Sequence, residues 1–307
     1  METFTFNSTD GALVTVRSWA PENPEQPVAV VQIAHGMAEH SLRYDWFARR
    51  LVAEGFAVYA NDHRGHGETA GYEDRLGHFS DQNGWTQVVR DMAQLNDLIR
   101  KKHPGLPVFL FGHSMGSLLS RDFMTRWGGS LKGVVLSGTA GHPGLRGRVG
   151  LLLAKLQALL GGGRSLSTLM DSLTFKSYNK AFAPVSSPFD WLSRDSDQVD
   201  AYIKDPYCGF ICSSRFYVDV IGGAIKVNTM GHILNTPKDL PVLLVSGDMD
   251  PVGHYGKGVT RTHEAFQKAG LKDVTVKLYE DGRHEILNEI NREDVADDVI
   301  AWLRARL

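Results

Sequence analysis

Residues 107–116 read Pro-Val-Phe-Leu-Phe-Gly-His-Ser-Met-Gly. The run Val108-Phe109-Leu110-Phe111 is apolar at every position. A strand with no polar face suits the middle of a parallel sheet, buried on both sides. The glycines at 112 and 116 bracket Ser114, and a helical pattern follows over 115–127. Strand, sharp turn and helix in that order form the setting in which G-x-S-x-G presents a nucleophilic serine. The spacing has a steric cause. The turn puts the serine in a strained conformation, and side chains two residues before and after it would collide. The helix N-terminus beneath the turn favours negative charge.

The rest of the chain alternates in the same way. Strands are predicted near 2–7, 12–19, 28–34, 56–61, 107–112, 132–138, 240–246 and 274–280, with helices near 43–54, 83–102, 115–127, 256–269 and 289–306. Ser8-Thr9-Asp10-Gly11 joins the first two strands as a hairpin. Beyond it, βαβ units imply a mostly parallel eight-stranded sheet flanked by helices. The alternation fails between about 140 and 236, where no clear strand is found. The expected organisation is an α/β core over 1–139 and 236–307, with a helical cap over 140–235 inserted after the sixth strand. In that cap Val149 to Leu160 is apolar nearly all round until Gly161-Gly162-Gly163 breaks it.

A serine hydroxyl needs a base, and the base needs a group to hold it. In a fold of this kind the partners follow in the order serine, acid, histidine. The strand 241–246 runs into Gly247-Asp248-Met249-Asp250-Pro251. Of the two aspartates, Asp250 lies further into the loop and is favoured as the acid, while Asp248 is expected to shape the turn. The last strand runs into Asp281-Gly282-Arg283-His284. Among twelve histidines, His284 is the one delivered directly after a sheet strand in the right chain order. His263 falls in a helical pattern, His103 precedes Pro104, and His232 and His254 lie in loops elsewhere. An oxyanion needs two backbone N–H donors: Met115, after the serine, and Met37, in the loop His35-Gly36-Met37 after the third strand.

His35, Glu39 and His40 imitate a metal motif. The H-x-x-E-H zinc pattern has one residue fewer between its histidines, so no metal and no cofactor is expected. Asp62-His63-Arg64-Gly65-His66-Gly67 reads as a tight loop after the fourth strand. Cys208 and Cys212 are the only cysteines. They are too few for a disulfide framework; on one helix face they would form a metal half-site, but burial is the expectation.

Net charge is −2, with 22% of residues charged, so no polyanion-binding surface and no nucleic-acid partner is expected. The opening METFTFNSTDGALVTVRSW lacks a basic segment followed by an apolar run, so no signal peptide is expected. No apolar stretch approaches the roughly 18 residues of a membrane span. The expected location is the cytoplasm.

Four segments carry a family resemblance: HGMAEHSLRYDWFARRLVAEGFAVYANDHRGHGET (35–69), GHSMGS (112–117), SGDMDPVG (246–253) and DGRHEILNE (281–289). They are similar to the monoacylglycerol lipase and lysophospholipase branch of the α/β-hydrolases. FDWLSRDSDQVDAYIKDPYCGF (189–210) resembles the caps of bacterial members. The resemblance implies Ser114, Asp250 and His284 as a triad, Met37 and Met115 as oxyanion donors, and single-chain acyl glycerols or lysophospholipids as substrates. Similar sequences also bear the label serine aminopeptidase. That activity needs a cap carboxylate for the substrate amine, and Asp190, Asp195, Asp197, Asp200 and Asp205 are all candidates, though they equally suit a solvated helix face. A non-catalytic ligand receptor of this fold would be free to lose its acid or histidine, and this chain retains both. A dehalogenase or epoxide hydrolase would be expected to carry aspartate at 114.

Two readings of the cap helix remain open: an ordinary buried helix, or a lid. As a lid, Leu152, Leu153 and Leu156 with Phe189 and Trp191 line an acyl tunnel. The flanking Arg146, Arg148 and Arg164 would then favour transient contact with a lipid surface.

Overall fold

In a computed structural model, residues 1–22, 26–71 and 75–307 are described. Eight strands form one sheet in the order β1-β2-β4-β3-β5-β6-β7-β8. They are β1 (Glu2–Asn7), β2 (Leu13–Trp19), β3 (Ala29–Ala34), β4 (Phe56–Asn61), β5 (Val108–His113), β6 (Gly133–Ser137), β7 (Val242–Gly247) and β8 (Val274–Tyr279). β2 pairs antiparallel with both β1 and β4, and every other pairing is parallel. All eight strands fall where the apolar runs place them. Those runs reflect burial. β3, β4, β5 and β7 are buried at every residue. The edge strands β1 and β8 expose part of theirs, including Lys277, a charge suited to an unpaired edge.

Strand alternation divides the core into two layers. Val30, Leu110, Val134 and Leu244 face one way, under α3 (Gly84–Lys102) and α4 (Met115–Trp127). Val31, Phe109, Phe111, Val135 and Val245 face the other, under α1 (Asp45–Ala53) and α11 (Arg292–Arg304). The remaining core helices are the single turn α2 (Gly67–Ala70) and α10 (Lys257–Lys268).

Between β6 and β7 lie α5 (Gly144–Gly161), α6 (Thr168–Phe175), α7 (Ser196–Lys204), α8 (Ser214–Val227) and α9 (Met230–Ile233). Among the ties that hold this segment to the core, three lie at its ends and middle. Buried Arg121 of α4 donates to Ala140 O at 3.0 Å, near its start, and to Val227 O and Asn228 Oδ1 at 3.2 and 2.9 Å, near its end. Glu285 N donates to Leu192 O at 2.7 Å. Gly209 N donates to Ala38 O at 3.0 Å.

The packing of α5 departs from the expectation. Its face toward α8 combines the small residues Gly147, Gly150 and Ala154 with Leu151. Leu152, Leu153 and Leu156 point outward and are exposed. The small residues recur at helical spacing on the face that packs; these three leucines take the face that is left. Cys212 is buried, as expected, and Cys208 half-buried; neither is on a helix. They lie in the irregular stretch between α7 and α8, with Cys212 in the main core.

The nucleophile turn is packed without spare room. A side chain at Gly116 would strike the carbonyl oxygens of Ala34 and His35, and one at Gly112 would strike Ser120 and the Gly116 carbonyl. Gly116→Ala is therefore expected to cost at least about 2 kcal/mol of stability, because the opposing atoms are backbone and cannot yield. An unchanged urea midpoint for this variant would contradict the packing.

Candidate active site

The sharp turn after β5 gives Ser114 φ 52° and ψ −116°, a left-handed conformation that a serine adopts only under constraint. The constraint is the turn's own hydrogen bonding. Ser114 N donates to Ser137 O at 2.9 Å, and its carbonyl accepts from Ser117 N at 3.0 Å and Ser117 Oγ at 2.6 Å. Ser114 and Met115, the first residue of α4, open onto a cavity of about 560 Å3. That volume lies within the range of small-molecule sites.

His284 reaches the same cavity from the loop after β8. Its Nδ1 lies 3.0 Å from Asp250 Oδ2. Asp250 is fully buried and has both oxygens engaged, accepting from Val252 N at 2.8 Å and from Ser246 Oγ at 3.2 Å. Asp248 is instead tied through its backbone N–H to Tyr279 O at 3.0 Å. Burial alone would lower the pKa of His284, but the Asp250 carboxylate outweighs it and the net shift is upward.

Met37 also lines the cavity, and Gly36 brings its loop close. A side chain on Gly36 would sit 3.3 Å from Ser114 Cβ. The Gly36 N–H is held by Glu39 Oε1 at 2.5 Å.

Phe189 and Trp191 line the cavity, and the Trp191 ring lies over His284 with centroids 5.2 Å apart. Leu152, Leu153 and Leu156 do not line it, for the reason given above. The wall expected from α5 comes from α6 and the turn after it: Asp171, Phe175 and Tyr178. None of the five aspartates considered for an amine site lines it either. Asp195 caps α7, Asp190 accepts from Ser186 N and Ser187 Oγ, and Asp205 accepts from His40. The cap carboxylate that does line it is Asp171, which accepts from Tyr217 OH at 3.3 Å and whose pKa burial raises.

A buried ion network was not foreseen. Arg43 forks onto Glu285 at 2.6 and 2.7 Å and also donates to Glu39 at 2.8 Å. It thereby joins the loop carrying His284 to the loop carrying Met37. Burial would raise the Glu285 carboxyl, but Arg43 holds it down at about 2; burial raises Glu39, and Arg43 offsets this only in part. The four-residue spacing of Glu39 and Arg43 was the available signal. Its partner Glu285 is brought in by the fold.

The metal-like histidine run is dispersed. His35 Nδ1 bonds Gly36 O at 2.8 Å, and its Nε2 accepts from His63 N at 2.9 Å. Glu39 is committed to Gly36, Tyr44 and Arg43. His40 faces away, onto Asp205.

The fold and this cavity define an α/β-hydrolase. Residues 25–291 match the family described as serine aminopeptidase, S33, and the chain belongs to that family of α/β-hydrolases, the one that holds the monoacylglycerol lipases. It is similar to a monoglyceride lipase of Homo sapiens, at 30% identity over 97% of this chain and 88% of that one. It is also similar to a monoacylglycerol lipase of Mycolicibacterium smegmatis, at 29% identity over 98% and 96% of the two chains. The structure of a thermostable carboxyl esterase from Bacillus coagulans, in complex with glycerol, superposes with a TM-score of 0.92 at 28% identity, covering 99% of this chain and 98% of that one.

The buried histidines give the site a defined acid limit. Burial pushes His63 and His113 down to about 3 and His66 to about 4, and holds His35 well below 6.5. The folded state thus binds fewer protons than the unfolded one. The stability from each histidine is complete above about pH 6.5 and is lost as pH falls toward the folded value, at up to about 1.4 kcal/mol per pH unit. His284, with its raised pKa, acts in the opposite sense. Urea midpoints should fall steeply from pH 6.5 to 4, and His63→Gln should flatten that slope. Equal slopes for the two proteins would contradict this account.

Proposed function

We propose that this protein is a serine ester hydrolase that cleaves single-chain acyl esters, monoacylglycerols foremost, through an acyl-enzyme intermediate. One observation carries the proposal. Ser114 and the His284–Asp250 pair open onto one cavity whose other walls are mostly aromatic and aliphatic. The names of the relatives support the same substrate class. In this reading the core, 1–139 and 236–307, supplies the chemistry, and 140–235 shapes the acyl site.

Ser114 Oγ attacks the ester carbonyl carbon while His284 Nε2 takes its proton. Asp250, at Nδ1, holds the tautomer and stabilises the imidazolium. The oxyanion accepts hydrogen bonds from Met37 and Met115 N–H. Collapse expels the alcohol, protonated by His284, and water then repeats the sequence on the acyl-enzyme. Tyr178, Phe189 and Trp191 remove the acyl chain from water, at about 0.8 kcal/mol per buried methylene.

Ser114→Ala, His284→Ala and Asp250→Asn should each lower kcat by orders of magnitude, because the three act as a unit. Asp248→Asn should cost far less. A fluorophosphonate should label Ser114 alone; labelling of another serine would refute the nucleophile, and no labelling would favour a receptor. The base must be neutral and its pKa is raised. Activity should therefore climb with pH through an ionisation at or above the usual histidine value of about 6.5. Long-chain monoacylglycerols should outrun acetyl esters. Turnover of aminoacyl amides, lost in Asp171→Asn, would instead make the enzyme a peptidase.

The outward leucines add a second element to the proposal. Leu159 and Leu160 are 80% and 84% exposed, and Leu169 and Leu173 of α6 are also exposed. Arg146 and Arg148 lie at the other, N-terminal end of α5. Since α6 also walls the cavity, this surface suits transient docking on an anionic lipid surface, delivering substrate directly to the site. No helix among the described residues is long and apolar enough to cross a membrane. Replacing Leu159, Leu160 and Leu169 with serine should abolish flotation with phosphatidylglycerol vesicles while leaving kcat/KM on a water-soluble acetyl ester intact. Undiminished flotation would place the docking surface elsewhere.

A further inference from the structure

The two metal-like signals in the sequence, the histidine run at 35–40 and the cysteine pair at 208 and 212, each lose most of their members in the folded chain. One residue survives from each, and the fold brings those two together. His40 comes from the loop after β3; Asp205 and Cys208 come from the irregular stretch just after α7. His40 Nε2 lies 2.8 Å from Asp205 Oδ2, and the imidazole, carboxylate and thiol ligand atoms all lie within 4.8 Å of one another. Asp205 is held by a second contact, Tyr207 N to its Oδ1 at 2.8 Å, and the His40 ring sits edge-on to Tyr207. Arg43 is the nearby cation, but Glu39 and Glu285 already engage its charge.

We propose that His40, Asp205 and Cys208 form a regulatory site for a thiophilic divalent cation, zinc in the first instance. One imidazole, one thiolate and one carboxylate form a tetrahedral three-ligand set with solvent as the fourth, a combination that suits zinc and not magnesium or calcium. Binding exchanges the thiol proton for the ion, forms the metal–sulfur bond and releases that proton to solvent. Tetrahedral zinc sets its ligand atoms roughly 3.3–3.8 Å apart, so the existing cluster needs only small side-chain movements.

The site's position links it to catalysis. Ala38 O accepts from Gly209 N at 3.0 Å and from Tyr202 OH at 2.9 Å, so the stretch that carries Asp205 and Cys208 is already strapped to the oxyanion loop beside Met37. Ala38, Tyr202 and Gly209 all line the cavity. A bound ion adds a coordinate bond across this strap, fixes cap to loop, and slows passage of the acyl chain. Zinc is thus a reversible inhibitor and not a cofactor. This half of the proposal rests on the ester-hydrolase reading; the binding half does not.

The test uses the purified full-length protein, first stripped with chelator. Cobalt(II) should bind one equivalent and show a thiolate-to-cobalt charge-transfer band in the near ultraviolet. Zinc should displace it. Cys208→Ser should abolish the band, and Asp205→Asn, close to isosteric, should weaken zinc at least as much as losing a supporting group does, about tenfold or more. Zinc should depress ester hydrolysis in the parent, chelator should restore it, and Cys208→Ser should be resistant. Absence of the band, or a band that persists in Cys208→Ser, overturns the site. A Cys208-dependent band with undiminished hydrolysis overturns the regulatory role alone.

Discussion

The structure depends on one strained turn. Ser114 holds φ 52° because β5 must end, reverse and become α4 within a single residue while buried against β3 and β6. Glycine at 112 and 116 is the condition for this, since backbone of the turn and of β3 occupies the space a side chain would need. Strain of this kind survives only where its surroundings over-determine it. Here they do: β5 is buried along its whole length, and α4 packs against α3, α8 and the sheet. The turn leaves Ser114 and Met115, the first residue of α4, facing the cavity. The loops after β3, β7 and β8 then need only arrive at the same edge.

Electrostatics at that edge is divided by sign. Asp250 favours the charged form of His284, while His113, whose ring lies tilted with its centroid 4.8 Å away, and the cluster His35, His63 and His66 are kept neutral by burial. Among these histidines the site concentrates basicity on the ring that has a carboxylate partner. The Glu39–Arg43–Glu285 network adds a second constraint. By joining the loop of His284 to the loop of Met37 it couples the positions of those two segments, and a buried pair of this kind is costly to break by halves.

Much of this was legible in the chain. The strands and the core helices follow from apolar periodicity, because burial on one or both faces leaves a direct imprint on spacing. Asp250 and His284 follow from chain order and from the strands that precede them. Met37 and Met115, singled out by position alone, both line the cavity. The cap was less legible. The leucines of α5 draw attention as an apolar helix, yet its packing face runs through Gly147, Gly150, Leu151 and Ala154 and leaves Leu152, Leu153 and Leu156 outside. Nothing in local spacing reveals that α6 walls the cavity or that Glu285 meets Arg43.

The sequence by itself therefore determined the sheet, the strained serine turn and the order in which the candidate acid and base arrive. Each of these depends on residues close in the chain, or on a burial pattern repeated along one strand. The tertiary structure decided the cavity wall, the ion network and the meeting of His40 with Asp205 and Cys208. Those depend on side chains from distant segments converging in space, and their separations along the chain carry no periodic signal to read.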